Sequence, residues 1–157
     1  MPTRYFEDFQ VGETWESEPM PLAAEEIVAF GRSFDPQPMH TDPERAAGGP
    51  FQGLVASGWH IASLSMRAFV LSGGYGDTPM VGLGIDELRW RSPARAGDRL
   101  TVRREIIELR RSQSSPSHGI VRTRVTVRNQ DGTEVMSFIS TGRVPARAHA
   151  AAAGTPA

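Results

Sequence analysis

"SGWHIASLSMRAFVLSGG", residues 57–74, decides how the chain folds. Between its ends only His60 and Arg67 can carry charge, and Ser63, Ser65 and Ser72 are the small polar exceptions. Ser57 is a suitable N-cap, and Gly73-Gly74 is a stop signal. About sixteen helical residues lie between them, a length of roughly 24 Å. A helix that is apolar around most of its circumference must be covered on most of its faces. The rest of the chain therefore has to supply a wrapper.

Downstream, "PMVGLGIDELRW" (79–90), "DRLTVRREIIELRR" (98–111), "GIVRTRVTVRN" (119–129) and "TEVMSFISTGRV" (133–144) read as strands. Val121, Thr123, Val125 and Val127 share one face, and Arg122, Arg124, Thr126 and Arg128 share the other. That alternation describes a sheet with one buried and one solvated side. Leu100 and Val102 have the opposite parity to Ile107 and Leu109, which predicts a bulge or strong bend near Arg104 to Ile106. "NQDGT" predicts a hairpin turn before the last strand. Upstream, a short first strand is expected near Glu13 to Ser17. "AAEEIVAFGRSF" (23–34) places Ile27, Phe30, Gly31 and Phe34 on one helical stripe, with Glu25 and Glu26 in the first turn, where the helix dipole favours them. A first strand, a helical layer, one long helix and then four strands is the layout of an α+β hotdog fold, a curved antiparallel sheet wrapped around a long central helix. We assign it to residues 1–145, with "ARAHAAAAGTPA" (146–157) expected to be a disordered tail.

Composition narrows the chemistry. At 157 residues one domain is expected. A formal net charge of −1 gives no reason to propose a nucleic-acid partner. There is no cysteine, so disulfides, thiolate metal sites and a cysteine nucleophile are excluded. All 17 basic residues are arginine, which excludes a catalytic lysine or Schiff base. The first residues lack a signal-peptide pattern, and no apolar run approaches the roughly 20 residues that span a bilayer. The expectation is a cytoplasmic protein with no membrane partner.

Between the two helices, Pro36, Pro38, Pro43, Gly48, Gly49, Pro50 and Gly53 punctuate a long shaped loop, residues 35–56. One helical turn is expected at Pro43 to Ala47, with Asp42 as its N-cap and Pro43 at the first position. Long loops in compact domains are often functional. This one holds Asp35 and His40 on stiff chain just ahead of the long helix.

These residues resemble a known signature. "FDPQPMHTDPERAAGGPFQGLVASGWH" is similar to the motif of MaoC-like dehydratases, the (R)-specific enoyl-CoA hydratase family of hotdog proteins. Asp35, Pro38, His40, Asp42, Phe51 and Gly58 fall on the family pattern, whereas Gln37 stands where the family has Asn and Ser57 where it has His or Pro. The resemblance runs from "FEDFQVGETW" to "VMSFIST". It implies reversible addition of water to a trans-2-enoyl thioester, with coenzyme A arriving as part of the substrate and no metal, nicotinamide or flavin cofactor. It also implies Asp35 and His40 as the catalytic pair, with the Gly58 amide and Ser57 at the thioester carbonyl. Edge-strand logic and the resemblance together predict a homodimer or higher homo-oligomer with pockets at its interface.

Hydration chemistry fits these residue types. Free water is a poor nucleophile, and an aspartate and a histidine holding one water can take a proton from it and return one to C2. The residue types leave open which of the two is the base; the preferred assignment is Asp35, with His40 orienting the water and sharing the proton. A backbone N–H at a helix start offers a preset donor for the developing enolate, and Gly58 carries no side chain to block the approach. Two other readings remain open at this stage: an acyl-CoA thioesterase on the same fold, and a non-catalytic acyl-CoA binding module. Asp35, His40, Asp42 and His60 match no standard zinc spacing. His60 is expected to be a satisfied core histidine, Trp59 and Met66 to be core, and Ser63 and Ser65 to bond back to the helix. The window from Arg89 to Arg111 holds eight arginines, read mostly as a solvated sheet face with a subset available to coenzyme A phosphates.

Overall fold

The computed structural model describes residues 3–113 and 115–147. After a single 3₁₀ turn at Phe6–Asp8 come β1 (Thr14–Glu16), β2 (Met20–Pro21), α1 (Ala24–Phe34), α2 (Pro38–Thr41), α3 (Pro43–Ala47) and α4 (Gly58–Leu71). Four long strands then follow: β3 (Val81–Trp90), β4 (Arg99–Arg111), β5 (His118–Arg128) and β6 (Glu134–Pro145). The order across the sheet is β1-β4-β5-β6-β3, with β2 also on β4, and every pairing is antiparallel. This is the α+β hotdog arrangement. The one-turn helix α2 and the two-residue β2 are additions to the expected elements.

The alternation along β5 is as expected, with Val121, Thr123, Val125 and Val127 buried and Arg124 and Arg128 exposed. On β4 the inward set runs Leu100, Val102, Arg104, Ile106 without a break. The register shift falls between Ile106 and Glu108, just beyond the predicted window, and it turns Leu109 against the core. Two apolar clusters result. One gathers Leu22, Ile27, Ile61, Val102, Val125 and Met136 near the start of α4. The other gathers Phe9, Phe69, Tyr75, Ile106, Val121 and Val144 near its end.

α4 is less enclosed than its composition suggested. Ile61, Ser65 and Phe69 recur every four residues and form the stripe that the sheet covers. Trp59, Met66, Val70 and Leu71 stay exposed. The sheet of one chain reaches one side of the helix only, so apolarity all round did not translate into burial all round. Ser57 caps the helix by accepting from the Trp59 N–H at 3.3 Å, and Ser63 and Ser65 bond back to the helix as expected.

The domain also runs past residue 145. Ala146 is buried and its N–H donates to the Ser117 carbonyl, and Arg147 donates to Glu7 and to both carboxylate oxygens of Asp8. The proposed tail is therefore anchored at its first two residues; the remainder, 148–157, lies outside the described residues.

One close contact positions the functional loop. A Cβ on Gly31, in α1, would lie 2.5 Å from the backbone oxygen of His40. The missing side chain lets α2 sit directly on α1. G31A should cost about 1–3 kcal/mol of stability, the range for overpacking. G82A on β3, where a Cβ meets nothing within 4 Å, should stay within about 0.5 kcal/mol of the parent. Urea unfolding of the two variants measures the contrast, and equal effects would contradict this account of the α1–α2 contact.

Candidate active site

Asp35 terminates α1, where its N–H donates to the Gly31 carbonyl at 2.9 Å. Pro36 keeps the helix from continuing. Pro38 at the first position of α2 then starts the single turn that carries His40. The segment leading to α4 grips this turn twice. The Val55 N–H donates to the Met39 carbonyl at 3.1 Å, and the Val55 carbonyl pairs with His40 Nδ1 at 2.7 Å. A carbonyl oxygen only accepts, so Nδ1 carries the proton and Nε2 of the neutral ring presents a lone pair. His40 Nε2 lies 3.4 Å from Asp35 Oδ2.

The carboxylate is held from two other directions. Ser57 Oγ donates to Oδ2 at 2.6 Å, and Gln37 Nε2 donates to Oδ1 at 2.8 Å. Hydrogen bonds to the charged form favour it. The Ser57 bond first, then the Gln37 bond, hold the Asp35 pKa below its ordinary value against the opposing effect of burial. Gln37, the departure from the family's Asn, thus still tethers the carboxylate. Ser57 holds the carboxylate from the N-cap position it was expected to take. It is buried, and its hydroxyl is occupied by Asp35 and the Trp59 N–H. Its side chain positions the aspartate and caps the helix.

Asp35, His40, Ser57 and Gly58 all line one cavity of about 520 Å³, whose walls include Phe34, Met39, Phe51, Trp59 and Trp90. Aromatic walls with a few converging polar groups suit a mostly apolar ligand. Among the described residues the Gly58 N–H has no partner within the protein. The space that a Gly58 side chain would take is filled by the indole of Trp90, its Nε1 end closest. The glycine is therefore required by Trp90 as well as by anything approaching the helix start.

Trp90 is a cavity wall that sequence reasoning missed, and Trp59, expected in the core, is a second one set edge-on to it at 5.5 Å between ring centroids. Trp90 arrives through a bulge in β3 between Asp86 and Arg89, where Glu87 has φ +54°. Of the eight arginines from 89 to 111, Arg91 lines this cavity. His60 is buried and stacked on Phe30 at 4.7 Å, with its Nδ1 unpaired; burial lowers its pKa. Among the described residues no three His, Asp or Glu side chains are grouped to hold a metal, and no helix is long and apolar enough to cross a membrane.

Comparisons with known proteins agree with this fold. A MaoC-like dehydratase from Rhodospirillum rubrum is 37% identical, with a TM-score of 0.83 over 92% of this chain and 98% of that one. An (R)-hydratase from Pseudomonas aeruginosa is 26% identical, with a TM-score of 0.74 over 91% of this chain and 86% of that one. The mesaconyl-CoA hydratase of Haloarcula hispanica is 29% identical over 145 residues, which are 92% of this chain and 35% of that protein. A family model of the MaoC-like domain matches residues 8–129, from the 3₁₀ turn to the end of the fifth strand, and the chain belongs to that family.

Proposed function

We propose that the protein is a hydro-lyase that adds water to a trans-2-enoyl thioester, or removes it from the 3-hydroxyacyl thioester. The observation that carries the reading is the 3.4 Å approach of His40 Nε2 to Asp35 Oδ2. With the ring neutral and the carboxylate ionised, both atoms are acceptors, and a water donating one hydrogen to each satisfies them together. His40 Nε2 takes one proton as the water oxygen bonds to C3. The Asp35 carboxylate, weakened as a base by Ser57 and Gln37, stabilises the imidazolium rather than competing for the proton. The electron pair of the C2–C3 double bond moves toward the thioester carbonyl, and the Gly58 N–H receives the developing oxyanion at the amino end of α4. The imidazolium then returns its proton to C2, so water is consumed and no other group is needed.

The acyl chain occupies the aromatic-walled cavity, and coenzyme A enters with it, its phosphates within reach of Arg91. The active form is a homodimer. β3 is an edge strand of the sheet, with Val81, Leu83 and Ile85 about half exposed, and Trp59, Met66, Val70 and Leu71 extend apolar surface along α4. An antiparallel pairing of two β3 edges extends the sheet and covers this surface by a two-fold operation.

Four outcomes are expected. Purified protein assayed against a panel of trans-2-enoyl-CoAs should consume the conjugated double bond of at least one. D35N should lower that kcat by roughly 10²–10⁴-fold while still binding acyl-CoA. No turnover of any member by folded protein would leave a binding module as the better description. S57A removes the largest influence lowering the Asp35 pKa. Because the carboxylate must be ionised, the acid limb of the kcat/KM profile should move to higher pH, and an unmoved limb would show that Ser57 does not tune Asp35. I85R on the exposed β3 edge should yield monomers by sedimentation equilibrium; a dimer unaffected by I85R would place the interface elsewhere.

A further inference from the structure

Trp90 is the last residue of β3, and its side chain stays half outside the protein, at 53% exposure. One side of the ring is nevertheless in tight contact. A Cβ built on Gly58 would meet Nε1, Cε2 and Cδ1 of the indole at closely similar distances, and no other atom comes nearer. An in-plane approach along the N–H bond would put Nε1 well ahead of its two ring neighbours. Near-equal distances mean that the flat face of the ring, not its edge, lies against the glycine. The indole is a plate laid on the first residue of α4.

Two features aim the plate. The chain reaches Trp90 through the bulge between Asp86 and Arg89, with Glu87 at φ +54°. That region is sparsely populated by residues with a side chain, and it persists only where the surroundings fix it. Trp59 then meets the indole at 79°, the edge-to-face geometry that aromatic pairs prefer.

The residue under the plate is the one with a spare donor. Among the described residues the Gly58 N–H has no partner within the protein. Its chain neighbour Ser57 has its hydroxyl committed to Asp35 and to the Trp59 N–H. The start of α4 is thus bounded by the Asp35 carboxylate on one side and by the indole on another, and all of them line the same cavity. A fixed donor acts more strongly on a developing charge when water is kept from it.

We propose that Trp90 is a positioning residue that acts through Gly58: its indole keeps solvent from one flank of the Gly58 N–H and leaves a thioester carbonyl the remaining flank by which to reach it. This role in the reaction rests on the hydratase reading, whereas the cover over the amide does not. Residue 58 is glycine because any side chain there would collide with the plate.

Amide exchange, kinetics and stability test the proposal on the full chain. By NMR, the Gly58 N–H of the parent should exchange more slowly than that of W90A. W90F, which keeps a flat ring, should stay near the parent. With an enoyl-CoA that the parent hydrates, W90A should lower kcat by about 10-fold, short of the 10²–10³-fold that losing an oxyanion donor costs. KM should change less than kcat, and W90F should recover most of the loss. G58A should lower Tm by roughly 3–10 °C through overpacking, and G58A/W90A should be more stable than G58A because the truncated ring vacates the space. Gly58 exchange unchanged in W90A, or a double variant no more stable than G58A, overturns the cover. Faster exchange with an unchanged kcat overturns the positioning role. A parent that hydrates no enoyl-CoA refutes the hydratase reading and the positioning role with it, while exchange still decides the cover. Should W90A not fold, W90L takes its place in each comparison.

Discussion

The hydrogen bond from His40 Nδ1 to the Val55 carbonyl is the constraint on which the site depends. It ties the one-turn helix α2 to the segment that becomes the N-cap of α4, and so joins the loop of Asp35 and His40 to the central helix. The same bond selects the tautomer. With Nδ1 committed to a carbonyl, Nε2 is the only ring nitrogen left to handle a proton, and it faces Asp35. One contact therefore sets position, orientation and tautomer together, and the prolines on either side reduce the freedom that the loop has to lose.

Around that bond the remaining parts are shared between fold and chemistry. Ser57 caps α4 and donates to Asp35 in the same conformation. Gly31 lets α2 settle on α1, and Gly58 admits the Trp90 indole over the start of α4. A helix end is an electropositive place with spare donors. On the proposed reading, the Asp35–His40 pair and an aromatic cover beside it turn a folding by-product into the electrophilic half of a hydration site. The core clusters lie behind α4 and fix its direction, which is what an oxyanion donor requires.

Much of this was legible from the residues, for identifiable reasons. Of the long strands, β5 announced itself most plainly because one-sided burial imposes a period of two, and it spells that period without error from Val121 to Arg128. α4 was legible from its caps. What failed was the inference from composition to cover: Val70 and Leu71 are apolar, yet the sheet of a single chain does not reach them. Arg104 was grouped with the solvated arginines although its parity with Leu100, Val102 and Ile106 already placed it inside. The apparent phase change from Ile107 and Leu109 obscured that parity, because the bulge lies after Ile106 and not before it. Trp90 was illegible for a deeper reason. Its aim depends on a left-handed backbone at Glu87, which an ordinary residue adopts only under tertiary compulsion.

The clamp of Arg147 on Glu7 and Asp8 brings the two extremities of the described chain side by side. Adjacent ends leave the order of elements along the polypeptide open to rearrangement without disturbing the sheet. A short linker joining them, with new ends cut at the exposed 129–133 hairpin, would give a circular permutant whose strands pair as before. The fold is in this sense a closed ring in space, and its opening point is a matter of gene architecture and not of packing.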